Sequence, residues 1–515
     1  MEINFLNWLV SALPIFIFLI LMLGFKWGGS RAGALSWLIT AAIAFLFFGA
    51  NLELIAFSYI KAFLLSMDVL LIIWTALFLY ILTEEAGTVQ AIGKWLSAIT
   101  KNIAVQGIFL GWLFPSFLQG MGGFGVPVAV AAPLLVSTGF NPIQATVMAS
   151  VGHAWAVTFG SMATSFQILI AVTGLPGEIL AHATSILTGI SVLVTGFLVT
   201  YMADKKRGIQ STWILTTVLG LLLAAGMYFL SVRGLWIISI TVSSLIALVV
   251  SYFWVRITGR NNVYTSEKRK LSLPFVALLP YIILVAITLT VNLVPGIKET
   301  LNLFDFSIYF PELTTNIGDV TPAGPGRSIN YLSHPGEIIF LSAMISFAIF
   351  RKAGRLKKGA LSKIIKETAN RSLNTTLAIF SMVGIAVIMS HTKMTGILSE
   401  GISIALGKSL FPLVSPFIGT LGAFITGSNS NSNVLFAGLQ MQTAELLGLS
   451  VPIILAAQTV GAGIGSIMAP AKVILGCATV GLNEQEGSVI GKILSYGLLL
   501  VFIIGICVLI WTRIE

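Results

Sequence analysis

The sequence predicts an all-α integral membrane protein of about 12 transmembrane helices in two inverted repeats, each with a re-entrant hairpin and a broken helix. Three observations carry that expectation. The 515 residues are 57% hydrophobic and only 9% charged, where soluble domains carry about 25% charged residues. Apolar runs near 20 residues recur, long enough for a helix to cross a bilayer and too long for the alternating strands of an outer-membrane barrel. Two polar islands, 118–127 and 425–433, interrupt apolar stretches at matching places in the two halves.

Taken in order, the first run, 5–25, has no basic leader and no small-residue cleavage site, so it reads as a retained span. Further spans fall at 32–50, 66–83, 142–176, 179–202, 213–232, 234–256, 273–297, 336–350, 373–390, 451–481 and 489–511. The stretches 88–101 and 395–407 are amphipathic and read as interfacial. Segments 103–138 and 410–446 hold the islands at their middles and read as the hairpins. Residues 1–202 then form the first repeat, 203–272 a connecting helical pair with basic loops, and 273–515 the second repeat.

The net charge of +10 does not indicate nucleic acid, because the basic residues sit in short loops between spans. Lys205, Lys206 and Arg207 mark one cytoplasmic loop; Arg256, Arg260, Lys268, Arg269 and Lys270 mark another. The stretch 351–371, with eight Lys or Arg residues, is the third. The long loop 298–335, carrying Glu299, Asp305, Glu312 and Asp319, falls outside. Both termini are then external, and the partner of the chain is a lipid bilayer.

Neither island can be helical throughout. Gly120, Gly122, Gly123 and Gly125 each cost about 1 kcal/mol relative to alanine in a helix interior. Ser428, Asn429, Ser430, Asn431, Ser432 and Asn433 compete for backbone hydrogen bonds. One of them suffices to cap a helix, and unsatisfied polar groups in hydrocarbon cost several kcal/mol, so six imply a polar role. Broken backbone at membrane depth persists only where protein covers it or it lines a watery cavity. Paired breaks in two halves mark the central site of a secondary transporter. The spans after the hairpins are interrupted too, near Gly160 and at Pro470. Candidate binding groups are therefore Gln119, the island glycines, Ser161, Thr164, the six Ser and Asn residues, Ser466 and Lys472. No Asp, Glu, Lys or Arg occurs in 102–177, so the first half offers helix N-termini, which hold anions without basic side chains. Lys472, alone in an apolar run, reads as functional rather than snorkelling. Lys472, His153 and Asp68 are the proton-coupling candidates, although a lone histidine such as His153 is more often a hydrogen-bonded packing residue and Asp68, near the outer end of its span, also fits an interfacial residue. His391 and Glu445 read as interfacial.

Four scattered histidines, no Gly-x-Ser-x-Gly and no nucleotide-binding loop exclude the common hydrolases and ATP-driven transport. Two cysteines, Cys477 and Cys507, both in apolar segments, argue against a disulfide framework or metal site, and no cofactor is expected.

The sequence Gln-Gly-Met-Gly-Gly-Phe-Gly-Val-Pro-Val-Ala at 119–129 resembles a signature of the L-lactate permease family. So do Gly-x-Leu-Gly-Ala-Phe-Ile-Thr-Gly-Ser-Asn-Ser-Asn-Ser-Asn-Val-Leu-Phe at 419–436 and the continuation at 465–482. The resemblance implies uptake of lactate or glycolate with protons, a small carboxylate as substrate, and a possible homodimer with moving transport domains. A sodium-coupled carboxylate transporter and a small-anion channel are the alternatives.

Overall fold

The apolar runs fold as helices in the computed structural model, which describes residues 5–123, 125–258, 275–294, 296–301, 305–326, 329–330, 332–482 and 485–515. Arg260, Lys268, Arg269 and Lys270 of the expected basic loop lie outside the described residues. Helices α1 (Phe5–Leu23), α2 (Gly29–Phe47) and α3 (Leu52–Glu85) open the chain. α3 begins well before the expected span 66–83. Asn51 explains its start: its side chain accepts from Leu54 N at 2.8 Å, and Glu53 complements the positive helix end.

The first amphipathic stretch is α4 (Thr88–Ser97). One hairpin arm follows as α5 (Ile103–Gln106), a π-helical stretch (Gly107–Leu113) and α6 (Phe114–Met121). Its partner arm is α7 (Val126–Ser137), begun by Pro127 in the first turn, where a missing N–H costs nothing. The broken span comprises α8 (Pro142–Gly152), a 3₁₀ turn (Ala154–Val157) and α9 (Gly160–Thr173). α10 (Gly177–Ser231) leaves helical geometry at Asp204 and Lys205, so it makes two spans joined at the expected basic turn. α11 (Trp236–Thr258) ends the first half.

The second half begins with α12 (Phe275–Leu293) and the short α13 (Ile297–Leu301). The expected external loop is instead a long antiparallel ribbon: β1 (Asp305–Phe306), β2 (Tyr309–Phe310), β3 (Leu313–Thr314), β4 (Val320–Thr321), β5 (Gly324–Pro325) and β6 (Ile329–Asn330). β1 pairs with β6, β2 with β5 and β3 with β4. Strands of two residues leave no readable alternation, which is why sequence pattern misses them. Its tip is tied to the α2–α3 turn, where Asn316 N donates to Gly49 O at 2.6 Å and Asn51 Nδ2 donates to Thr314 O at 3.0 Å.

There follow α14 (Pro335–Lys352), α15 (Ala360–His391) and α16 (Met394–Thr426). α16 is interrupted at Gly407, which separates the second amphipathic stretch from a hairpin arm. The other arm is α17 (Asn429–Leu446), and the second broken span is α18 (Val451–Met468) with α19 (Pro470–Thr479). α20 (Glu486–Ile514) closes the chain. Eleven helices among the described residues are long and apolar enough to cross a membrane. α10 counts once among them but supplies two spans, and α14, whose 18 residues include Glu337, Arg351 and Lys352, is not included. Hairpin two and α18 meet backbone to backbone. A Cβ at Gly419, Gly461 or Gly465 would lie 2.1, 2.0 or 2.3 Å from a carbonyl oxygen, so only small residues permit the approach.

Candidate functional site

The two broken spans build the site differently. In the first, α8 stops at Gly152, and Ser161, Met162 and Ala163 adopt φ of 49°, 56° and 59°, one turn of left-handed backbone. Such geometry costs roughly 1–2 kcal/mol per residue outside glycine. Ala163 N donates to Phe159 O at 3.1 Å, and Thr164 Oγ1 donates to Ser161 O, which hold the turn closed. Hairpin one is shaped to it: Gly123 has φ +54°, and a Cβ there would sit 2.0 Å from Ser161 Oγ. In the second break, Ala469 is extended (φ −59°, ψ 130°), Pro470 opens α19, and Lys472 lies in its first turn.

Between these breaks and hairpin two is a cavity of about 310 Å³. Of the residues singled out from sequence, Gln119, Ser161, Thr164, Ser428, Asn429, Ser430, Asn431 and Lys472 line it. First-turn residues of α9, α17 and α19 thus converge, bringing three positive helix ends together. Asn374 and Thr375 of α15 and Ser30 of α2 complete the wall. The Asn-Thr-Thr run at 374–376, opening an apolar span, was the signal for the first two; nothing in the sequence marked Ser30. Other candidates lie elsewhere. Gly120 and Gly122 allow close packing, since a Cβ would meet Thr241 Oγ1 at 2.6 Å and Tyr80 Cδ2 at 2.8 Å. Gly125 sits against Leu475, with Lys472 Cγ 4.0 Å from where its Cβ would be.

The six Ser and Asn residues divide by helix face. Ser428 caps α17, accepting from Asn431 N at 3.4 Å. Ser432 Oγ donates to Gly419 O at 2.7 Å, joining the hairpin arms. Asn433 Nδ2 donates to Ser165 O at 3.0 Å and Thr459 Oγ1 at 2.9 Å, while Asn429 Nδ2 donates to Thr459 O at 3.1 Å. Ser430 Oγ meets Ser165 Oγ at 3.1 Å. The Asn431 side chain reaches the cavity and, among the described residues, makes no hydrogen bond. Lys472 Nζ donates to buried Ser466 Oγ at 3.0 Å, and no ion pair to it occurs among the described residues.

The family model described as L-lactate permease matches residues 7–515. The chain belongs to the L-lactate permease family. An L-lactate permease of Salmonella typhimurium is 27% identical, with 97% of this chain and 95% of that protein covered. A glycolate permease of Escherichia coli is 27% identical over 98% and 95% of the two chains. An L-lactate permease of Bacillus subtilis is 28% identical over 84% and 83%. Among solved structures, the Alcanivorax borkumensis YdaH transporter aligns with a TM-score of 0.47 at 16% identity, over 87% and 86% of the two chains. As a member of this permease family with eleven apolar helices among the described residues, the chain is a multi-pass plasma-membrane transporter and not an enzyme.

The permease's remaining ionisable groups lie off this cavity. His153 caps the end of α8 and is buried, its Nδ1 2.6 Å from Ala149 O. Asp68 is not near a helix end but inside the long α3, and its Oδ1 is 3.2 Å from His334 Nε2. His334 Nδ1 accepts from Gly336 N at 3.1 Å, so Nε2 carries the proton directed at Asp68. His391 is buried and not interfacial: Ser58 and Lys61 of α3 enclose it. Glu445 is exposed at the far end of hairpin two.

Proposed function

We propose that this transporter imports a small 2-hydroxy monocarboxylate, lactate or glycolate, together with protons. One observation carries the reading: Lys472 places an ammonium without a carboxylate partner among the described residues in a polar cavity at three helix starts. A substrate carboxylate is its natural complement. Asn431 and Ser161 stand ready for the 2-hydroxyl, since an amide and a hydroxyl both donate and accept. A volume of about 310 Å³ suits a small anion with some of its water. The named lactate and glycolate permeases among the relatives share this 2-hydroxy acid chemistry.

The cavity is bordered by Ser30 and by the Asn374 region, on the side of the basic turns, which the positive-inside rule makes cytoplasmic. Two inverted repeats, 1–202 and 273–515, rocking about this cavity would expose it to the other side, with a homodimer as the frame. Of Lys472, His153 and Asp68, only Lys472 lines the cavity, which makes it the leading proton carrier. The test is uptake of labelled lactate, glycolate, acetate and succinate into proteoliposomes under imposed proton or sodium gradients. Lactate or glycolate accumulation driven by the proton gradient is expected. Accumulation driven only by sodium, or flux with no counterflow, would overturn the coupling or the carrier mechanism respectively.

A further inference from the structure

The larger cavity is not the one that holds the islands. It has a volume of about 470 Å³, with Pro325 and Gly326 of the ribbon in its wall. It therefore lies on the ribbon side, opposite the basic turns. Lys61, Thr173, Ser390, His391, Thr395 and Gln442 are polar residues of its lining, and aliphatic side chains such as Val387 and Leu435 line it too.

The hydrogen bonds there have a single consistent polarity. An ammonium cannot accept, so His391 Nε2, 3.3 Å from Lys61 Nζ, is the acceptor. His391 Nδ1 then carries the proton and donates to Ser58 Oγ at 2.8 Å, whose own hydroxyl donates to Leu54 O at 2.7 Å. The imidazole thus orients Lys61 without neutralising it. No ion pair to Lys61 occurs among the described residues, and two of its three N–H donors remain for another partner. A part-buried cation without a carboxylate, facing a roomy polar cavity inside a membrane protein, is costly unless an anion visits it.

The two cavities are stacked along the same helices. On α17, Ser430 and Asn431 line the inner one, and Val434 and Leu435 the outer one. On α15, Ala378 and Ile379 line the inner one, and Val383 and Ala386 the outer. Roughly one helical turn, about 5.4 Å, therefore divides them. Buried Ile168 and Met382 belong to the apolar cluster at this level, and Asn433 bonded to Ser165 O ties α17 to α9 across it.

We propose that the outer cavity is a capture site for a small carboxylate anion, held by the Lys61 ammonium with hydroxyl and amide groups of Ser390, Thr395 and Gln442 around it. The anion loads there from outside, and opening of the thin apolar layer passes it to Lys472. Only the order of the two sites rests on the transport reading above; binding at the outer one does not.

The test uses the full chain in proteoliposomes. In Lys61→Gln the KM for lactate presented at the ribbon face should rise at least tenfold, while the KM for lactate presented at the opposite face stays within twofold of wild type. Lys61→Arg, which keeps the charge, should recover most of the loss. Equal KM values at the ribbon face in wild type and Lys61→Gln would overturn the proposal. A second measurement keeps Lys61 in place. Thr395→Cys in a Cys477→Ala, Cys507→Ala background is labelled from the ribbon face with anionic and cationic thiosulfonate reagents. The anionic reagent should react at least fivefold faster, and saturating lactate, glycolate or acetate should slow it at least fivefold. Equal rates, or no protection by any of the three acids, would sink the site. Protection in vesicles that transport no lactate would keep the capture site and remove the transport reading. Transport without protection would do the reverse.

Discussion

Replacing Lys472 by glutamine removes the charge that, among the described residues, faces the inner cavity, while keeping a donor for Ser466 Oγ, its partner at 3.0 Å. Two unit charges about 4 Å apart attract by about 4 kcal/mol at an effective dielectric of ~20. Desolvating both groups offsets part of that, and the helix starts at Thr164 and Asn429 persist in the variant. The net loss should be at least about 1.4 kcal/mol, a tenfold rise in Kd for lactate. The assay is equilibrium binding of labelled lactate to purified protein in nanodiscs, alongside the neutral amide of lactic acid. The charge argument requires lactate affinity to fall while amide affinity holds within about twofold, since only lactate carries the partner charge. Unchanged lactate affinity in a protein with wild-type Tm would place Lys472 outside the site, as a snorkelling residue. Equal losses for both ligands would show that shape, not charge, was removed. If Lys472 is also the proton carrier, uptake by the variant should lose most of its pH dependence.

Ala163→Gly should leave thermal stability unchanged or raise it by up to about 1 kcal/mol, because relief of roughly 1–2 kcal/mol of left-handed strain outweighs the entropy of glycine. In a right-handed helix interior the same change would cost about 1 kcal/mol, so the sign of the Tm shift decides. Asn433→Ala should lower stability by about 1–3 kcal/mol, since it strips the buried partners of Ser165 O and Thr459 Oγ1. Asn431→Ala should instead leave Tm near wild type and weaken lactate binding; the opposite pattern in the pair would contradict the division by helix face. A cysteine at Asp319 should react with an impermeant reagent from outside intact cells and one at Lys358 should not, as the positive-inside rule requires.

Composition and pattern alone were enough to read the membrane class, the hairpins and the second break. Twenty-residue apolar runs have few other fates, and glycine, serine, asparagine and proline at lipid depth cannot continue a helix at no cost. The start of α3 was legible in principle, since Asn51 followed by Glu53 is a helix-start signal. Other features depended on tertiary contact. Asp68 meets His334 across 266 positions, and Lys61 meets His391 across 330, so no local pattern could announce either pair. The ribbon is held by pairing between two-residue strands, which have no periodicity of their own. Which of the six polar residues of hairpin two face the cavity was set by what packs on each side of α17. The neighbouring α18 takes Asn429 and Asn433, one turn apart, and α16 takes Ser432, which leaves Asn431 facing open space. Sequence determines that a segment must carry polar groups or break; only the packed neighbours decide which of those groups are satisfied by protein and which are left for a ligand.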